Sequence, residues 1–220
     1  MDFKQIISDY GATFGITSAL VVYSLGRYSA YKDRKRNNRS YLKTESINAN
    51  YNLKNAFPKE GSKLLITNYY ETIVDKIKRL KLDKDEFIGN TYLGYMQFKN
   101  MGPGLILNAS VEMHMNSNKR VWVTRTRLPV MEVGEEIYVS TDNLDALEEG
   151  YFVEEITVIY KTQQNETIKY VYKATRSENA LEKSNITESY YLKLPLLNKY
   201  RKLHFSKGPE LEWVYLKNTQ

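Results

Sequence analysis

The fold class this sequence predicts is mainly β: an N-terminal transmembrane helix, then a compact antiparallel β-sandwich or a partly open, OB-like barrel with one or two short helices. Three observations predict it. One long apolar stretch, Ile6–Tyr28, is followed at once by a basic run. From Ser62 the chain carries apolar residues at helical spacing. After Asp83, short runs rich in Val, Ile, Thr and Tyr alternate with turn residues, the pattern of half-buried strands.

The apolar stretch reads IISDYGATFGITSALVVYSLGRY, with Asp9 near one end and Arg27 near the other. A bilayer core needs about 20 apolar helical residues, so its length fits a span, and Tyr10, Tyr23 and Tyr28 suit the membrane–water interface. Asp2 and Lys4 precede it. Arg27, Lys32, Arg34, Lys35, Arg36 and Arg39 follow, opposed only by Asp33. A secretory signal has the opposite order, cations first. Cations resist translocation, so the N-terminus is expected outside and the rest in the cytoplasm, a single-pass cell-membrane protein. The same six cations attract anionic headgroups. The competing reading is a buried helix of a soluble protein, since Ser8, Asp9 and Thr13 dilute the run. Gly11, Gly15 and Ala19 fall four apart, a spacing at which two membrane helices approach closely, so a homodimer is one expected partnership.

Three regions follow: 1–30 as anchor, 31–61 as a basic juxtamembrane tether, and 62–220 as the cytosolic, mostly β domain. Leu65, Tyr69, Ile73, Ile77 and Leu80 form a helical stripe. Strands are expected at Tyr92–Lys99, Ile106–Met115, Arg120–Leu128, Glu136–Ser140, Phe152–Thr162, Thr167–Thr175 and Ser189–Leu194. Gln163–Glu166 reads as a hairpin loop, Asn100–Gly104 as a turn, and Asp142–Glu149 as a short helical turn.

The chain has no Cys, which excludes a disulfide scaffold, thiolate metal sites and a Cys nucleophile. Net charge is +6, but residues 1–60 hold ten Lys/Arg against five Asp/Glu, so the basic balance mostly reports the membrane-proximal segment. Of the two histidines, His114 falls on the polar face of its strand and His204 near the C-terminal tail, neither with a second His at a ligand spacing. No nucleophile elbow, phosphate-binding loop or dinucleotide fingerprint occurs. No catalytic residue, metal or cofactor is therefore assigned, and no enzyme activity is expected.

Leu128–Tyr160 contains nine acids and no Lys or Arg. If the fold gathers these acids on one side, the opposite side is basic. Within the basic remainder, aromatics alternate with cations: Arg120, Trp122, Arg125 and Arg127 in one strand, Lys169, Tyr170, Tyr172, Lys173 and Arg176 in another. Binders of single-stranded nucleic acid need cations that follow the phosphates and rings on which bases stack. These nine residues are the expected interface for RNA or single-stranded DNA. The bland alternative is that the tyrosines pack at a core edge and the cations form a solvated strand face.

The layout of a short span at Ile6–Tyr28, a basic stop at Lys32–Arg39 and a Tyr- and Lys-rich β body resembles the membrane-anchored abortive phage infection proteins of lactic acid bacteria, the AbiP type. The resemblance is one of architecture and composition along the whole chain. It implies sequence-independent binding of single-stranded nucleic acid at the membrane, interfering with phage replication and transcription. A second resemblance rests on Asn100-Met101-Gly102-Pro103-Gly104, which looks like the Asn-x-Gly-x-Gly strand turn of small sandwich domains in bacterial membrane-anchored proteins. It implies the alternative function, a membrane-tethered, non-enzymatic β-sandwich module that binds a protein partner.

Overall fold

The structure, a computed structural model, describes residues 3–51, 53, 58–80, 92–117, 120–142, 151–176, 183–194, 198–207 and 211–212. It divides into two units, Met1–Arg39 and Ser40–Gln220.

The first unit is one helix, α1 (Phe3–Asn37), roughly 50 Å long at 1.5 Å per residue. Ile16, Leu20, Val21, Val22, Leu25 and Tyr28 are exposed along it. At about 100° per residue these side chains spread over roughly 240° of the circumference, wider than the stripe of about 100° that an amphipathic helix turns to one partner surface. Arg27 donates to the Tyr23 hydroxyl at 3.0 Å and lies over its ring, and Lys35 lies over Tyr31. Among the described residues no helix is long and apolar enough to cross a membrane. The length is present but the apolarity expected of residues 1–30 is not. Asp9, Thr13, Thr17, Ser18, Ser24 and three glycines dilute the run.

The stretch expected as a tether, 31–61, divides. Its first part continues α1, and Leu42–Asn50 forms β1 of the body. The second unit then runs β2 (Lys63–Leu65), α2 (Asn68–Leu80), β3 (Tyr92–Asn100), β4 (Ile106–Ser117), β5 (Val121–Leu128), β6 (Glu136–Ser140), β7 (Tyr151–Thr162), β8 (Thr167–Arg176), β9 (Lys183–Lys193), β10 (Tyr200–Lys207) and β11 (Leu211–Glu212). All seven expected strands form. The stripe read as a helix from Leu65 begins later, because Leu64 and Leu65 pair in β2. Thr67 caps α2, its hydroxyl accepting from the Tyr70 N–H at 3.1 Å. Of the helical turn expected at Asp142–Glu149, all but Asp142 lies outside the described residues.

The strands make two sheets, a smaller one in the order β1-β3-β6-β2 and a larger one in the order β10-β9-β8-β7-β4-β5, with β11 beside β9. Neighbours are antiparallel except β2 and β6, which are parallel. Within the described residues the larger sheet ends at β5 and β10, so it does not close into a barrel. The inner faces of both sheets share one core. Met96, Phe98, Ile137 and Val139 of the smaller sheet belong to one buried cluster with Val111, Met113, Met115, Ile156, Val158 and Tyr170 of the larger. The other face of the smaller sheet is covered by α2, whose Tyr70, Ile73 and Val74 cluster with Ala49, Leu93, Tyr95 and Tyr138.

Three tyrosines of the larger sheet tie β1 and its approach across the core. Tyr160 donates to the Ser40 carbonyl at 2.9 Å, Tyr190 to the Leu42 carbonyl at 2.5 Å, and the Tyr170 and Thr44 hydroxyls bond at 2.7 Å. These bonds place β1 in the body although its own sequence, LKTESINAN, is mostly polar.

Candidate nucleic-acid interface

The outer face of the larger sheet is set by period-two alternation. In β8 the residues Ile168, Tyr170, Tyr172 and Ala174 are buried, and Thr167, Lys169, Val171 and Lys173 take the other face. Tyr170 and Tyr172, expected to stack bases, are 0% and 9% exposed and belong to the core. Tyr170 also donates to Glu188 at 2.7 Å. Burial, with the neighbouring Glu188 charge, pushes its hydroxyl far above the usual range. Neither ring is open to a base.

Trp122 is half-buried and meets the Tyr151 ring edge-on, with centroids 5.2 Å apart. It lies on the face of β5 opposite to Arg125 and Arg127. Arg120 stands just before β5 in the turn closed by the Ser117 N–H to its carbonyl at 2.8 Å. The Arg176 side chain lies outside the described residues. The nine expected residues are therefore not one surface: two are core, one is an inner-face edge residue, and Arg125, Arg127, Lys169 and Lys173 share the outer face.

Those four cations differ in what faces them. Arg125 donates to Glu112 at 2.7 Å, and His114 bonds the other oxygen of the same carboxylate at 2.8 Å. The Arg125 hydrogen bond, helped by His114, holds the Glu112 carboxyl below its usual range. Lys173 pairs with Glu155 at 2.7 Å. Arg127 and Lys169 have no such partner among the described residues. Direct cross-strand pairing places Arg127, Ser110, Ile159, Lys169, Tyr191 and Lys202 in one row across six strands. Beside that row lie Lys161 opposite Thr167, and Lys193 opposite Tyr200. At one end of the outer face Glu112 and Glu155 are thus each paired with a cation. The other carries Arg127, Lys161, Lys169, Lys193 and Lys202 with Tyr191 and Tyr200 among them.

The acid block does not gather on one side. Glu155 is on this outer face. Glu136 is on the α2-covered side of the smaller sheet, where Lys99 donates to it at 2.6 Å and Gln97 at 3.0 Å, and Glu135 pairs with Lys63. Asp142 accepts from the Tyr151 hydroxyl and the Gly94 N–H, both at 2.7 Å. Asp145, Glu148 and Glu149 lie outside the described residues. Segregation of charge occurs along the strands of one face, not between opposite sides of the body.

Tyr191, Lys161, Lys193 and Lys202 were not among the expected site residues. The signal that finds them is the strand parity of β8, which sends its apolar half inward and hands the outer aromatic position to the neighbouring strand. Compared with known proteins, the chain matches no family model, no curated protein and no solved structure.

Proposed function

We propose that the protein is a non-enzymatic, sequence-independent binder of single-stranded RNA and DNA, held at the cell membrane by α1 with its body in the cytoplasm. It would act in abortive phage infection by occupying nucleic acid during phage replication and transcription. The observation that carries the binding reading is the run of cations at one end of the larger sheet's outer face, Arg127 and Lys169 without a carboxylate partner among the described residues, with exposed or half-buried tyrosines among them. Cations there would neutralise phosphates, and rings would stack bases. Membrane attachment is supported by the apolar residues round α1 and the basic run from Arg27 to Arg39. The small residues that lower its hydropathy are the kind that let helices pack together in a bilayer. The phage-defence role is supported by the layout shared with abortive infection proteins.

The test is binding of labelled single-stranded RNA and DNA of mixed sequence across a salt series. If the five cations neutralise phosphates, the log–log slope against salt approaches about −3.5, at roughly −0.7 per phosphate. Loss of binding at low salt would sink the reading.

One observation favours a second reading. The edge strand β5 exposes Val121 (65%) and Val123 beside Arg125 and Arg127. An exposed edge with apolar side chains suits addition of a strand from a protein partner. A stoichiometric protein recovered after nuclease treatment, and lost on V123P, would favour this reading over nucleic acid.

A further inference from the structure

We infer that the bound strand crosses the β-strands along the row from Arg127 through Lys169 to Lys202, and that Tyr191 is the ring on which a base stacks. This rests on the nucleic-acid reading above and assigns its path. The row is ordered: a cation on β5, uncharged Ser110 and Ile159 on β4 and β7, a cation on β8, a tyrosine on β9 and a cation on β10. At about 4.8 Å between strands the whole row spans roughly 24 Å, with Arg127 and Lys169 about 14 Å apart. Tyr191 lies directly between Lys169 and Lys202, about 5 Å from each strand.

A path along the strands instead would leave the cationic end. Two residues further along β8 the row contains Glu112, and the next contains Glu155 with its partner Lys173. Carboxylates there would repel phosphates, so only the crosswise direction keeps a polyanion over cations for several nucleotides. The uncharged pair Ser110 and Ile159 leaves room between phosphate contacts for a sugar and base. A row of this length places the footprint at the small end of the roughly 4–16 nucleotides typical of single-strand sites.

The experiment measures binding of fluorescein-labelled oligo-dT and oligo-U, 3 to 12 nucleotides long, to the full chain in detergent. Native protein and Y191F, Y191A, K169Q and K173Q variants are compared, each checked for an unchanged melting transition. Affinity should rise with length and then level off once the row is covered. Y191F should bind as native, and Y191A should lose between about five- and hundred-and-fifty-fold. K169Q should reduce the salt slope by about 0.7, and K173Q should leave it unchanged because Lys173 already faces Glu155. If the native protein binds but Y191A and K169Q bind equally well, this path is wrong and the nucleic-acid reading stands. If the native protein binds neither oligomer at low salt, the reading itself fails.

Discussion

Gly94 shows how a single hydrogen atom can decide a site. A Cβ there would overlap the Tyr151 hydroxyl and lie 2.8 Å from the Thr141 hydroxyl. That hydroxyl pair is itself bonded at 2.7 Å, and Tyr151 also serves Asp142. G94A should therefore displace Tyr151 and cost the Asp142 carboxylate one of its two donors. The expected cost is about 1–3 kcal/mol, read as a lower urea midpoint at unchanged m-value. Asp142 and Glu136 also predict opposite pH responses. Burial holds the Asp142 carboxyl above its usual range, against the bonds from Tyr151 and Gly94. Its contribution is greatest below the unfolded pKa and is lost as pH rises through the folded one. For Glu136, burial pushes upward, but the hydrogen bond and charge of Lys99 outweigh it and the carboxyl sits below its usual range. Its contribution is present above the unfolded pKa and is lost as pH falls through the folded one. In urea titrations from pH 3 to 7, E136Q should flatten the acid-side loss of stability and D142N should steepen it. Parallel profiles for both variants would remove these groups as the source.

Among the elements, β1 was hidden in the sequence and the larger sheet was not. Val, Ile, Met and Tyr at alternate positions make β4, β7 and β8 legible, and the loop Gln163–Glu166 closes as expected, with the Thr162 N–H donating to the Glu166 carbonyl at 2.9 Å. By contrast β1 offers only Leu42 and Thr44 to the core between the sheets and Ala49 to the cluster under α2, because its other partners are hydroxyl and carbonyl groups reached across the sheets. A polar strand held by distant tyrosines carries no periodic signal of its own. The site was half legible for a related reason. Cations on a strand announce themselves, but which aromatics accompany them depends on parity, and Tyr170 and Tyr172 share the inward set with Ile168 and Ala174. Y170F tests this assignment. Removing the hydroxyl leaves Thr44 and Glu188 without their partner, and should cost about 1–3 kcal/mol in urea denaturation while leaving oligonucleotide affinity unchanged. A tenfold affinity loss without destabilisation would return Tyr170 to the binding surface.

On the proposed reading attachment and recognition belong to different units, and the chain position of β1 fixes where the two can be separated. Ser40 and Leu42 supply the carbonyls that Tyr160 and Tyr190 bond, so the body begins at Ser40 and not after the basic run's polar continuation. A chain starting at Ser40 should fold cooperatively, and one starting at Tyr51 should not. The latter loses an edge strand, Leu42 and Ala49 from the two cores, and all three cross-sheet tyrosine bonds, far more than the 5–15 kcal/mol that holds a domain together can spare. The Ser40 chain retains every cation of the outer-face row, and its salt slope for oligonucleotides should equal that of the full chain. Only sedimentation with membranes should be lost, because α1 and the cations from Arg27 to Arg39 go with the deletion. If the Ser40 chain still pelleted with vesicles containing anionic lipid, as the full chain would, then the outer-face cations themselves would be gripping headgroups. The row would then have to be assigned to the membrane instead of to nucleic acid.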